Sequence, residues 1–516
     1  MPTIRVAEVL AALSLTTDLA SGVPFEKGLA TCAVSTAFAD VLGLAAAERR
    51  AVFHTALLRA VGCTAYAPEN AALFVDDTAF QSALKVIDPG DPAVFGAQMA
   101  TFGDWAGPQR QPALARRFLD IVATEAVKAT GAACEVSRAL GPKLGLPAAA
   151  VDALDHVWER WDGLGMPGLC AGERLPLVAR IVHVGEQAAW AHAQAGPAGA
   201  VAEVRRRAGG HLDPDLAARF VADADAVLAP HDTPDLLAAV VAAEPGPAAM
   251  VGPDGLATLC EALAIVVDLK GRYLLGHSAH VATLVDAAAT LSGLARTERG
   301  PLRAAALLHD LGRAGVASSV WDRPGPLGAG DWERVRLHAY WTGRMLERCP
   351  ALRPLAGVAG AHHERLDGHG YHRGAAAAEL SRGARLLAAA DVFAAVTEDR
   401  PHRPAMTADA AARLVVAEAA EGRLDRDACA AVVEAAGLPR PRTVWPCDLT
   451  DREVVVLRLA ARGLSNRQIA QELVLSDRTV ETHLKHIYDK TGRRTRAGAA
   501  VFAMEHDLLI SVDQRM

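Results

Sequence analysis

The chain has 516 residues, of which 51% are hydrophobic and 22% charged, with a formal net charge of -7. That length exceeds what a single core of ordinary size serves, and the composition excludes a disordered or collagen-like chain. The net acidity excludes a protein that coats nucleic acid along its whole surface, though not a local basic module.

The eight cysteines are scattered without a C-x-x-C pair, which argues against a zinc ribbon or a disulfide framework. No apolar run reaches the roughly eighteen residues that a membrane-spanning helix needs, and residues 1–15 lack a basic segment leading into an apolar one. The expectation is a cytoplasmic protein with no membrane contact.

Taken in chain order, Ala-rich segments with apolar residues three or four apart occur at 6–15, 45–60, 302–311 and 410–420. Alternating β-branched runs are scarce, so the fold class is all-α. Pro/Gly-rich breaks fall at 230–255, with Pro245-Gly246-Pro247, and at 438–447, with Pro439, Pro441 and Pro446. They predict helical domains at 1–245 and 246–437, a Pro-rich linker at 438–447 and a last domain at 448–516.

Nine of the 18 histidines lie between His277 and His402. Packing a helical domain needs no such density, which directs attention to metal. The segments are Gly276-His277, Leu308-His309-Asp310-Leu311-Gly312-Arg313, Leu337-His338, His362-His363-Glu364-Arg365-Leu366-Asp367-Gly368-His369-Gly370-Tyr371-His372 and Ala390-Asp391. Two divalent ions held close together need several neutral imidazoles and a carboxylate that spans both.

On these residues the region 263–403 resembles the HD-GYP branch of the HD phosphohydrolases. That resemblance implies a helical bundle holding two divalent metal ions, iron or manganese by ligand type with zinc as a further option, and hydrolysis of a phosphodiester such as cyclic di-GMP. It implies His277, His309, Asp310 and Asp391 as ligands of one ion. It implies Asp310, shared, with His338, His362 and His363 for the other. Asp310 and Arg313 are then the catalytic candidates, Arg313 standing where the family carries Lys to neutralise charge on the phosphate. Asp367, Gly368, Gly370, Tyr371 and His372 form the substrate loop, in which His372 replaces the Pro of the family signature. Tyr273 occupies a position where some members place a Glu for a third metal, so two ions are expected. His280, His369 and His402 are read as surface or supporting residues.

The same plan recurs in the first domain. Trp158-Glu159-Arg160-Trp161-Asp162-Gly163 parallels the stretch from His363, and Leu57-Leu58-Arg59-Ala60-Val61-Gly62 parallels the stretch from Leu307. Arg59 and Ala60 replace the His-Asp pair, Val157 and Trp158 replace the His pair, and Glu186 lies opposite Asp391. This predicts two tandem HD-type bundles, the first degenerate and without metal ligands. Two roles stay open for it: a structural partner, or a sensor whose vacated site binds a small molecule or anion, with Arg59 as a contact.

Residues 449–509 read as four short helices. Thr450 with Glu453 and Ser465 with Gln468 form capping-box patterns, Gly463 suits a helix end, and Ser476 caps a third helix. The close turn at 473–476 is that of a helix-turn-helix. The segment resembles the LuxR-type DNA-binding domain in Leu449-Thr450, Arg452-Glu453, Gly463-Leu464-Ser465-Asn466, Ile469-Ala470, Thr479-Val480, His483 and Ile487. Residues 461–500 carry eight basic against four acidic side chains. Arg467, Arg478 and Lys490 are the phosphate-contact candidates. By resemblance Glu481, Thr482 and Lys485 meet base edges, and the last helix dimerises over a two-fold operator.

The combined expectation is a transcription regulator that joins a binuclear phosphohydrolase to a reader of double-stranded DNA, acting as a homodimer. The alternative is a non-enzymatic sensor that binds metal and a nucleotide or cyclic dinucleotide and controls the DNA-binding domain.

Overall fold

The computed structural model describes residues 3–441, 445–506 and 508–509. Residues 442–444 of the expected linker and 510–516 of the last domain lie outside them. The chain forms two compact units, residues 1–438 and 439–516. Helices dominate both. Two-residue strands at Ile4–Arg5 and Met250–Val251, paired antiparallel, form the one sheet among the described residues. No helix among them is long and apolar enough to cross a membrane.

Residues 1–438 pack as one unit across the expected boundary at 245/246. One hydrophobic core runs through both halves, from Val9 and Leu13 through Val182 to Val266, Leu307 and Leu387. The reason lies in the helix Val6–Ala20, which is apolar on nearly every side and buries 13 of its 15 residues. A helix without a polar face must be surrounded. Residues from both halves surround it: Val6 N donates to Ala249 O at 2.9 Å, and Leu19 packs where a side chain at Gly315 would stand. The break at 438 does separate the units.

The two halves repeat one plan at the level of local devices. Asp18 accepts from Gly28 N at 3.0 and 3.1 Å, and Asp268, ten residues ahead of Ser278, accepts from Ser278 N at 3.2 Å and Ser278 Oγ at 2.7 Å. In each case a buried acid pins the start of the next helix, Lys27–Val41 or His277–Leu291. Gly62 and Gly312 each lie against a crossing helix, where a Cβ would come within 2.4 Å of Ala133 O and 1.9 Å of His338 O respectively. Only glycine allows that approach. Helices at Ala67–Phe74, Asp77–Leu84, Pro92–Thr101 and Gln111–Leu140 fill a stretch that the periodicity reading did not resolve.

In the C-terminal unit the capping signals form as the sequence predicts. Thr450 and Glu453 exchange hydrogen bonds, as do Ser465 and Gln468, Ser476 Oγ accepts from Thr479 N at 3.1 Å, and Gly463 has φ +88°. They delimit helices Asp451–Ala461, Asn466–Leu473 and Asp477–Thr491, followed by Arg496–Glu505.

Candidate metal centre

The His309-Asp310 pair stands just past the helix Arg296–Leu307, where the chain turns into the 3-10 segment Leu311–Gly315. Gly312 lets this turn lie against the helix Ala329–Arg348. Thr342 locks it by accepting from Gly312 N and donating to His309 O, both at 2.9 Å.

Three histidines share one local device. The Nδ1–H of His309, His338 and His362 each donates to the carbonyl three residues earlier, that of Ala306 (2.7 Å), Val335 and Ala359 (2.7 Å) respectively. This fixes the tautomer and leaves Nε2 as an outward lone pair, the state in which imidazole ligates metal. His277 is held differently, its Nδ1 on Glu398 Oε2 at 2.8 Å.

Asp310 lies between two pairs of rings. Its Oδ2 faces His309 Nε2 at 3.1 Å and His277 Nε2 at 3.6 Å, and its Oδ1 faces His338 Nε2 at 3.4 Å and His362 Nε2 at 3.5 Å. Asp391 Oδ1 stands 3.3 Å from His277 Nε2 and 3.7 Å from His309 Nε2, and its Oδ2 stands 3.6 Å from His363 Nδ1. All seven ligand candidates therefore converge, His363 from the opposite ring edge.

The chemistry of this donor set fits divalent cations. His277 Nε2, His309 Nε2, both oxygens of Asp310 and Asp391 Oδ1 are buried without a hydrogen-bond partner, at a cost of about 1–3 kcal/mol per group if nothing binds them. His338 Nε2 and His362 Nε2 approach to 3.0 Å, although both tautomers place a lone pair there. Acceptors crowded onto acceptors are stable only around positive charge.

Titration agrees. Burial alone would raise Asp310, but the Arg313 guanidinium and His309 hold it well below the usual carboxylate range. Burial likewise works against Asp391, which His277 and His309 keep ionised. Burial pushes His362 down to about 4 and His363 well below its ordinary value. Burial would lower His309 too, yet the two carboxylates lift it to about 10, the response of a ring whose lone pair points at two anions.

Arg313 Nη1 lies 2.9 Å from Asp310 Oδ2, with its guanidinium over the Trp321 ring at 4.9 Å. A cavity of about 580 Å³ opens onto Arg313, His338 and His363, walled by Trp321, Trp332, Tyr371 and Arg400. The loop 367–372 is tied from beneath by buried Glu364, which accepts from Arg373 N at 3.1 Å and Ala375 N at 3.0 Å. Gly368 has φ +76°, and a Cβ at Gly370 would lie 2.5 Å from Glu364 Cα. Of the loop side chains Tyr371 reaches the centre, its ring 4.3 Å from that of His363. Asp367 instead accepts from His369 N at 3.0 Å, and the exposed His372 ring lies 5.7 Å from that of Tyr340. Glu398, Trp321 and Arg400 were missed by the sequence reading. No motif marks them, and folding alone brings Trp321 and Arg400 to the cavity and Glu398 to His277.

In the C-terminal unit Val480, Leu484 and Ile487 face its core, while Arg467, Arg478, Glu481, Thr482 and Lys485 are exposed. Lys490 is the exception among the basic candidates. Its Nζ donates to Glu453 Oε2 at 2.7 Å and Asp448 O at 2.8 Å, which engages it in the fold.

Residues 261–428 match the HD domain family, and residues 448–503 match the bacterial regulatory proteins of the luxR family. The chain is 29% identical over 413 residues to 3'3'-cGAMP-specific phosphodiesterase 3 of Vibrio cholerae, covering 79% of this chain and 90% of that protein. It is 34% identical over 180 residues to a cyclic di-GMP phosphodiesterase of Pseudomonas aeruginosa, covering 34% of this chain and 43% of the relative. The crystal structure of a cyclic GMP-AMP specific phosphodiesterase of V. cholerae superposes with a TM-score of 0.57 at 24% identity, over 85% of this chain and 99% of that one, a likeness of fold.

Proposed function

For a chain that joins an HD domain to a luxR-family regulatory domain, we propose hydrolysis of a cyclic dinucleotide phosphodiester at the centre of the second half, coupled in one polypeptide to sequence-specific DNA binding. One observation carries this reading: Asp310 turns one oxygen to each of two imidazole pairs, with both of its oxygens and the Nε2 atoms of His277 and His309 buried without a hydrogen-bond partner.

His277, His309, Asp310 and Asp391 would hold one divalent ion, and Asp310, His338, His362 and His363 a second, iron or manganese by donor type with zinc as a further option. Such ions supply Lewis acidity and lower the pKa of water. The protein's own groups do the rest. Glu398 and the three carbonyl-anchored rings fix ligand orientation. Arg313, held between Asp310 and Trp321, is placed to meet charge growing on the phosphoryl oxygens. Arg400 adds a second cation on the cavity wall, and Trp321 and Tyr371 offer ring faces to a base.

We assign residues 1–245 to a degenerate copy of the same plan, without metal ligands. For DNA, exposed Arg467 and Arg478 would contact phosphates and Glu481, Thr482 and Lys485 base edges. Val501 and Met504, 47% and 64% exposed on the last helix, support dimerisation through it over a two-fold operator.

The test is metal analysis of the purified protein, then incubation of the manganese-loaded form with 3'3'-cGAMP and with cyclic di-GMP, beside Asp310→Ala. Turnover by the parent and none by the variant supports the hydrolase. Tight nucleotide binding by the parent without product would replace it by the sensor reading.

A further inference from the structure

The first half does not merely lack the metal centre. Equivalent positions carry Lys27 for His277, Arg59 for His309, Ala60 for Asp310, Val157 and Trp158 for the His pair, and Glu186 for Asp391. Ala133 stands where His338 would, as the matched approaches of Gly62 and Gly312 show. Over this vacated site lies a cavity of about 510 Å³, within the size range of small-molecule sites.

Its base is cationic. Arg59 and Lys27 both pair with buried Glu186. The Lys85 ammonium sits 4.2 Å from the centre of the Trp158 ring, and Arg59 lies 5.3 Å from the same ring. Lys85 Nζ, Arg59 Nε, Gln81 Oε1 and Gln187 Oε1 are buried without a hydrogen-bond partner. Such unpaired groups are costly, and a buried ammonium without a counter-anion most of all. The carboxylate nearest this base, Glu186, is taken up by Lys27 and Arg59, and Asp18 accepts from Gly28 N. Arg160 at the rim is already paired with Asp88 and Asp162. Lys85 is the cation left without a carboxylate partner.

Above this base the walls are apolar, from Leu84, Phe95, Phe118, Val122 and Leu164. We propose that the first half is a binding site for a small amphiphilic monoanion, a carboxylate whose head sits on Lys85 and Arg59 and whose hydrocarbon or aryl body fills the apolar wall. One unpartnered ammonium suits a carboxylate better than a phosphate dianion, and the apolar wall suits a hydrocarbon or aryl body better than the polar edges of a base. Lys85 behaves as an ammonium awaiting such a partner, since burial pulls it down to about 8.

The test uses the full chain with chelator present and calorimetric titration of 4-phenylbutyrate, its neutral counterpart 4-phenylbutan-1-ol, and inorganic phosphate. The acid should bind, the alcohol at least about tenfold more weakly, as loss of a charge-assisted hydrogen bond dictates, and phosphate not measurably. Lys85→Met should cut acid affinity by about tenfold or more without lowering Tm, because it removes an unpaired buried charge. Ala126→Phe, which fills the cavity and leaves the charges in place, should also abolish binding and stands in if the first variant misfolds. Asp391→Ala, in the other half, should leave binding intact. Failure of the parent to bind the acid, equal binding of the alcohol, phosphate binding in its stead, equal affinity of Lys85→Met, or loss of binding in Asp391→Ala would each overturn the assignment.

Discussion

Lys270 Nζ, in the second half, donates to Asp77 Oδ2, in the first half, at 2.6 Å, with both side chains 1% exposed. Asp77 Oδ1 also accepts from Ser318 N at 2.7 Å, and Ser318 Oγ donates to Lys270 O at 2.6 Å. The first half therefore grips the segment Ser318–Trp321, whose Val320 and Trp321 line the cavity beside the metal centre.

Breaking this pair by Asp77→Ala leaves an uncompensated buried ammonium, a loss of about 3–5 kcal/mol. Urea unfolding should show it, and the double change Asp77→Ala with Lys270→Met should recover part of it. Cyclic dinucleotide KM should rise in the single variant because Trp321 loses its support. Unchanged stability would mean that this ion pair contributes nothing to holding the two halves together.

Divalent metal should raise Tm and chelation lower it, since binding to the folded state alone stabilises by mass action, about 2.7 kcal/mol at a hundredfold excess over Kd. His362→Ala removes one of the two opposed lone pairs, and it should weaken the metal-induced shift. Differential scanning fluorimetry of parent and variant with and without manganese reads this directly.

Burial raises Asp18 from 3.8 to about 7. The folded chain thus keeps a proton that the unfolded chain releases above its ordinary value, so this group's contribution falls as pH rises from about 4 to about 7 and is level above that. Asp18→Asn, which can still accept from Gly28 N, should be less sensitive over that window. Parallel denaturant titrations at several pH values check it, and identical slopes for the two proteins would count against a buried protonated acid.

Gly370→Ala should collapse the substrate loop, because the added methyl meets backbone at Glu364. We expect kcat/KM to fall by about a hundredfold, the scale of a misplacement of about 1 Å near the chemistry. DNA affinity of the separate C-terminal unit should not change.

For DNA, Lys485→Ala should cost about 1–3 kcal/mol at one operator position and relax specificity there. Arg467→Ala should weaken all sequences alike and reduce the salt slope by about one. Lys490→Ala should lower thermal stability instead, since its ammonium holds Glu453 and the Asp448 carbonyl. Binding measured at several salt concentrations separates the three.

The histidine and aspartate set was legible in the sequence because its members sit at motif positions, and the rings of His309, His338 and His362, which donate to the carbonyl three residues back, are oriented by their own turns. The C-terminal helices were legible for the same reason, since a capping box is closed by residues three apart. Supports such as Glu398, Glu364 and Asp268 carry no local signature, because what they hold lies on another segment.

The sequence by itself therefore determined the helical class, the donor atoms available to a cation, and the helix-turn-helix. Tertiary structure decided what distance along the chain conceals. It joined the halves through the almost fully buried helix Val6–Ala20, it turned the two oxygens of Asp310 to opposite pairs of rings, and it carried Lys85 onto Trp158 above the vacated centre. Burial and charge balance are properties of that assembled neighbourhood, which no periodicity or motif spacing encodes.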